Sequence, residues 1–142
     1  MIYFTQAQNA AHNLGHFMTF GYWCIFIAFL LPYFFTILAK AGSHFNNYEP
    51  RPFMEKVTGW RKRAYWAHLN SFEAFPPFAA GVIIAHQLHV SMQTLNFLAG
   101  LFICSRILYG IFYITNHASI RSLVWLVGFL SIIGLFVAAA RV

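Results

Sequence analysis

The sequence predicts an all-α integral membrane protein, a bundle of four spanning helices forming one domain over residues 1–142. Three observations predict it. Sixty per cent of the chain is apolar, only 8% is charged, and the mean hydropathy is +0.62. A soluble domain averages about 25% charged residues, so lipid rather than water solvates this chain. Four apolar segments of near-membrane length follow one another. The basic residues are segregated, six of the nine (Lys40, Arg51, Lys56, Arg61, Lys62 and Arg63) falling between the first two segments.

The first segment is FMTFGYWCIFIAFLLPYFFTILA, in a span placed at about residues 14–39, with Pro32 expected to kink it. The polar start MIYFTQAQNAAHNLGH has no basic leader, so this span is expected to be kept. The second span, about 61–87, holds FEAFPPFAAGVIIA and reaches back through a helix-compatible run to Arg61. Pro76 and Pro77 should bend it and free carbonyls that neighbouring helices must satisfy. The third span, about 94–117, holds LNFLAGLFICSRILYGIFYIT, and the fourth, about 119–141, holds SLVWLVGFLSIIGLFVAAA. A span needs about 20 apolar residues, and each segment meets or approaches that length.

The long first loop carries most of the positive charge, the turn HQLHVSMQT carries no Lys or Arg, and the last turn leads into Arg121. The positive-inside rule therefore puts loops one and three in the cytoplasm and both termini on the non-cytoplasmic side. In a bacterium the membrane would be the inner one. The formal charge of +6 does not indicate nucleic-acid binding, because it sits in a loop between apolar spans and forms no stripe on a folded surface. Cys24 and Cys104 lie in separate apolar runs without a CxxC pattern and read as small core residues.

Three acidic residues occur, Glu49, Glu55 and Glu73, and only Glu73 lies inside an expected span. An ionisable group in hydrocarbon marks a functional site by default. Asn70 lies three residues earlier on the same helical face. Glu73 stands twelve residues above Arg61, and Arg106 eleven residues above His117. At ~1.5 Å per residue both lie roughly 16–18 Å from the cytoplasmic helix ends, so the two are expected to pair. Arg106, Tyr109, Tyr113 and Asn116 share a face of helix three, and Arg63, Asn70 and Glu73 share one of helix two. Two polar faces at matching heights suggest a cavity open to the cytoplasm, with Arg63 and Arg121 at its mouth and Glu73 with Arg106 at its floor. Such a site suits a small ligand with several carboxylates. The plainer reading of Asn70, Glu73 and Arg106 is interhelical hydrogen bonding, and the basic mouth is equally the topology signal itself.

The pairs His12/His16 and His86/His89 have spacings that allow shared metal or haem ligation. No Cys or carboxylate completes a shell, so no metal site is expected. His44 and His117 read as loop residues.

The pattern Ala67-His68-Leu69-Asn70-x-x-Glu73-x-x-Pro76 is similar to the second helix of the microsomal glutathione transferases. Arg106-x-x-Tyr109-x-x-x-Tyr113 resembles their third helix, and Ile120-Arg121-Ser122 the start of their fourth. On these blocks, in this order, nearly the whole chain resembles the MAPEG superfamily, the membrane-associated proteins of eicosanoid and glutathione metabolism. The resemblance implies a homotrimer in membrane lipid, with glutathione held between neighbouring subunits near the cytoplasmic side. It implies that Asn70 and Glu73 hold the glutathione backbone and amino group, that Tyr109 and Tyr113 contact the peptide, and that Arg121 stabilises the thiolate with the Ser122 hydroxyl beside it. His68 belongs to the same pattern and is counted with the binding residues, a structural part in a polar network being the other role open to it. Arg106 corresponds to a structural arginine.

The chain departs from the pattern at Trp66, where active members carry an arginine; Arg63, one turn lower, is the available substitute. Trp125 stands where some members have tyrosine, and the match at Arg121 depends on a one-residue gap. The resemblance implies a glutathione-dependent transferase or peroxidase acting on small lipophilic electrophiles that arrive from lipid between helices one and four. The alternative is a non-catalytic trimer that binds lipid or glutathione.

Overall fold

A computed structural model describes residues 18–42 and 45–142. The polar start of the chain, His12, His16 and His44 lie outside the described residues. The described chain is all helical, with five helices: α1 (Phe20–Lys40), α2 (Pro50–Lys56), α3 (Gly59–Gln87), α4 (Met92–Ile114) and α5 (Ala118–Ala139).

Thr19 starts α1 by accepting the Tyr22 amide at 3.5 Å, and Lys40 in its last turn complements the helix dipole. Its buried face reads Gly21, Cys24, Ala28, Pro32, Phe35 and Ala39, a spacing of three and four that forms one stripe against α3 and α4. Small residues dominate the stripe and let backbones approach closely, as packing in lipid requires. α2 was not expected within the first loop. Pro50 supplies a first-turn proline, and Met54 is buried against Ala39 and Ala64, fixing the loop to the roots of α1 and α3.

Gly59 opens α3 at φ +62°, a left-handed conformation that glycine adopts without strain. The turn from α3 to α4 uses His89 at φ 57°, with the Val90 amide donating to Ala85 O at 3.0 Å, and Ser91 then caps α4 through the Thr94 amide. The turn from α4 to α5 repeats the device with Asn116 at φ 66° and the His117 amide donating to Phe112 O at 2.9 Å.

Two cross-links orient the helices. Arg61 Nε donates to Ala39 O at 3.0 Å, and Arg63 Nε donates to Ile114 O at 2.9 Å. The C-terminal ends of α1 and α4 and the N-terminal ends of α3 and α5 therefore meet at one end of the molecule, and the basic loop lies there. α1 packs on α3, α5 on α4, and α3 touches both α4 and α5. The central core stacks Phe78 on Phe102 with ring centroids 3.9 Å apart, among Val82, Leu95 and Leu135.

α1, α4 and α5 are each long and apolar enough to cross a membrane. α3 is not among these, because Arg61, Lys62, Arg63, His68, Asn70 and Glu73 fall in its first half. Its 29 residues rise about 43 Å, and the four-residue turn at 88–91 joins it to the far end of α4. Large apolar side chains such as Ile37, Phe97 and Leu123 stay exposed, as a lipid-facing surface requires. Cys24 is buried and Cys104 exposed, and both are free thiols.

Candidate functional site

The polar residues of α3 and α4 meet, but not by the direct pairing that equal depth suggests. Arg106 Nη2 donates to Asn70 Oδ1 at 2.7 Å, and Asn70 Nδ2 donates to Glu73 Oε2 at 3.2 Å. The amide of Asn70 is the relay between cation and carboxylate. Its two ends have opposite polarity, so one side chain satisfies both partners. Arg106 is buried, at 3% exposure, while Glu73 lies exposed on the surface of the chain. Gly128 permits this burial: a Cβ there would lie 2.5 Å from Ser105 Oγ and 3.7 Å from Arg106 Cδ, so only glycine brings α5 this close to α4.

From Arg106 a ladder of rings and guanidinium groups descends to the basic end. The Arg106 guanidinium carbon lies 4.3 Å from the Tyr109 ring centre, Tyr109 meets Tyr113 edge-on at 5.3 Å, and the Arg121 guanidinium lies 4.3 Å from Tyr113. Each cation sits against the negative face of a ring, which is attractive and stronger away from water. Trp66 leans on Tyr113 from α3 at 6.1 Å.

Three chambers follow this ladder along α3. The outermost is lined by Thr58, Lys62, Arg63, Trp66 and Asn116. The middle one is lined by Trp66, Leu69, Asn70, Glu73 and Tyr113. The inner one, about 200 Å³, lies between α3, α4 and α5 and is bounded by Asn70, Glu73, Pro77, Arg106, Trp125 and Phe129 among others. Trp66 is shared by the outer two, and Asn70 with Glu73 by the inner two. Pro77 takes the amide donor away from the Glu73 carbonyl one turn below, and such broken backbone is tolerated at membrane depth where it lines a cavity.

The structure thus brings together Arg63, Asn70, Glu73 and Tyr113 as chamber-lining residues, with Tyr109 and Arg121 in the ladder behind them. His68 lies elsewhere. Its Nδ1 is 2.9 Å from Pro32 O and 2.7 Å from Thr36 Oγ1, tying α3 to α1 at the proline. Since a carbonyl only accepts, Nδ1 carries the proton in that contact. His68 also borders a separate cavity with Tyr33, Lys40, Arg51 and Tyr65. The Ser122 hydroxyl turns back on its own helix and donates to Ala118 O at 3.1 Å. His86 stacks on Tyr22 with centroids 4.7 Å apart, and among the described residues no three His, Cys, Asp or Glu side chains gather as a metal site.

Sequence reasoning missed the part played by Trp125 and Phe129, which wall the inner chamber. They are stacked at 5.3 Å, and their spacing of four along α5 was the available signal.

Fold and site together define a class: a helical integral membrane protein with a polar, arginine-bearing pocket reaching from one end of the molecule into its apolar middle. A model of the MAPEG family matches residues 20–141, and the chain belongs to that family of membrane proteins of glutathione and eicosanoid metabolism. No curated protein and no solved structure matches the chain.

Proposed function

We propose that this chain is a membrane-embedded, glutathione-dependent transferase or peroxidase that acts on lipophilic electrophiles as a homotrimer of four-span subunits. The observation that carries the reading is the Asn70–Glu73 pair, set between a cation-lined outer chamber and an apolar inner one. Glutathione has one ammonium and two carboxylates, and the residues present fit that pattern. Glu73 and the Asn70 amide would take the ammonium end, and Arg63 with Lys62 would take a carboxylate in charge-assisted hydrogen bonds. Tyr113 and Trp66 would wall the peptide. Bound glutathione would supply the thiol that adds to, or reduces, the electrophile.

Arg121 lies in the first turn of α5, where its positive charge adds to the field of the helix N-terminus. A thiol with ordinary pKa near 8.5 is held as thiolate more readily beside a guanidinium. Arg121 is therefore the catalytic residue of the proposal, and Tyr113 holds its guanidinium in place.

The exposed Glu73 supports assembly. An acid facing lipid at the centre of a span costs about 2.5–3.5 kcal/mol, which a neighbouring subunit over this face would remove. The concentration of Lys and Arg between the first two spans supports a site on the cytoplasmic side with both termini across the membrane, in the inner membrane if the cell is bacterial.

The test is conjugation of glutathione to a chlorinated dinitrobenzene by the purified protein, with reduction of an organic hydroperoxide run in parallel. Activity that falls by about 10²–10³ in Arg121→Ala, the usual loss for one charge-stabilising group, is the expected result. Inactivity of the wild type on both reactions would count against it. Trp66, standing where an arginine is expected, favours the second reading of a trimer that binds glutathione or lipid without turnover. Calorimetric glutathione binding by a protein inactive on every electrophile selects that reading.

A further inference from the structure

A separate cavity, of about 650 Å³, lies across α3 from the three chambers. His68 and Asn70 are two residues apart, so they leave α3 about 200° apart and face opposite sides of the helix. The last turns of α1, the loop helix α2 and the His68 side of α3 form its walls, and Met54, buried under α2, holds that helix in place. Its lower half is cationic and hydroxyl-bearing, with Lys40 from α1, Arg51 from α2 and Tyr65 from α3. Its upper half is aromatic. Tyr33 and Phe72 lie two helical turns above Lys40 and Tyr65, roughly 10 Å further from the basic end, and meet edge-on at 5.7 Å. Both rings are exposed, and Phe29 continues the row with its ring centre 5.3 Å from that of Tyr33.

The lower half has bonding capacity that the chain does not use. Among the described residues, the Arg51 guanidinium and the Tyr33 and Tyr65 hydroxyls make no hydrogen bond or ion pair. Glu55 lines the same cavity one turn beyond Arg51, and no ion pair joins the two. Two cations against one carboxylate leave the cavity with net positive charge.

We propose that this cavity holds the headgroup of an anionic phospholipid, a phosphodiester bearing a free hydroxyl such as phosphatidylglycerol, with its chains on the aromatic upper half. Arg51 and Lys40 take phosphate oxygens in charge-assisted hydrogen bonds, and the Tyr65 hydroxyl donates to another. The Glu55 carboxylate accepts the headgroup hydroxyl, the one donor such a lipid offers. Net charge selects the anion over a zwitterion. Position selects a lipid over a free phosphate ester, because the basic end of a span meets the headgroups while the rings above it meet acyl chain. The inference is independent of the proposed function: the cavity is lined by none of Arg63, Asn70, Glu73, Tyr113 and Arg121.

The experiment uses the purified full chain in neutral detergent micelles, with lipids of matched chains added singly and bound lipid counted by native mass spectrometry. Phosphatidylglycerol should bind saturably and about tenfold tighter than phosphatidylcholine or phosphatidylethanolamine, the factor expected of one charge-assisted hydrogen bond. Arg51→Gln should remove that preference, and Tyr65→Phe should lower it about threefold, the loss of one neutral donor. Lys56→Gln makes the same charge change outside the cavity and should leave the preference intact. If Lys56→Gln weakens binding as much as Arg51→Gln, the attraction is diffuse and the proposal fails. Equal binding of phosphatidylethanolamine overturns it as well. Displacement of the lipid by equimolar glycerophosphate or inorganic phosphate overturns the lipid assignment in favour of a free phosphate site. A changed subunit number in Arg51→Gln with the lipid preference unaltered assigns the face to another copy of the chain and also overturns it. Tyr65→Phe decides the matter should Arg51→Gln fail to fold. Phosphatidylglycerol preference without any calorimetric glutathione signal upholds this site and sinks the proposed function; the reverse pattern does the opposite.

Discussion

Replacing Asn70 by Leu separates a relayed charge network from a direct ion pair. Leucine keeps the branched outline of the side chain and removes both polar contacts of the amide. Arg106 then loses its 2.7 Å acceptor and keeps two unpaired N–H directions in a site only 3% exposed. A hydrogen bond to a charged group contributes about 1.5–3 kcal/mol, and the longer contact to Glu73 adds roughly 0.5–1 kcal/mol, so Asn70→Leu should destabilise by about 2–4 kcal/mol. Neutral hydrogen bonds between helices in lipid average only about 0.6 kcal/mol; the larger figure here comes from the buried guanidinium. Glu73→Gln behaves differently. The glutamine oxygen still accepts from Asn70 Nδ2, and the cost should stay below about 1 kcal/mol. The assay is reversible unfolding of both variants in mixed micelles, with tryptophan fluorescence as the probe. The order Asn70→Leu well above Glu73→Gln is the expected result. If Glu73 and Arg106 paired directly, removing the carboxylate would cost about 3–5 kcal/mol and the order would reverse, refuting the relay.

Other outcomes follow from the same contacts. Gly128→Val drives a side chain into Ser105 and Arg106 and should destabilise by about 1–3 kcal/mol or more, read in the same unfolding assay. His68→Ala removes the contacts to Pro32 O and Thr36 and should cost about 1–2 kcal/mol; an unchanged stability would show that the tie between α1 and α3 carries no weight. Trp66→Arg places a second guanidinium between the outer and middle chambers and should tighten glutathione binding about tenfold by calorimetry, one charge-assisted contact having been added.

Much of the fold was legible because lipid imposes a one-dimensional rule. Every backbone group in hydrocarbon must be bonded within its own segment, so apolar length alone locates α1, α4 and α5. α2 was not legible: seven residues with two prolines carry no period, and only the burial of Met54 against Ala39 and Ala64 makes them a helix. In the site, the count from the helix ends brought Glu73 and Arg106 to matching heights, and the helical spacing put Asn70 beside Glu73 and Tyr109 with Tyr113 below Arg106. Counting heights did not reveal which partner each would choose. Asn70 stands between Glu73 and Arg106 because Gly128 lets α5 press Arg106 inward, and a contact between helices distant in sequence leaves no local signal. His68 lies only two residues from Asn70, yet the 100° turn per residue carries it round to α1.

The sequence by itself determined that the chain lives in lipid, where its long helices run, which end carries the positive charge, and that an acid, an amide and an arginine share one depth. These follow from composition and helical period, which act residue by residue. Only the tertiary structure decided that the acid reaches the arginine through an amide, that one arginine N–H is left over beside an apolar-walled chamber, and that Trp125 and Phe129 line that chamber. Those features arise where α3, α4 and α5 touch, and packing between helices depends on shapes that no single helix contains.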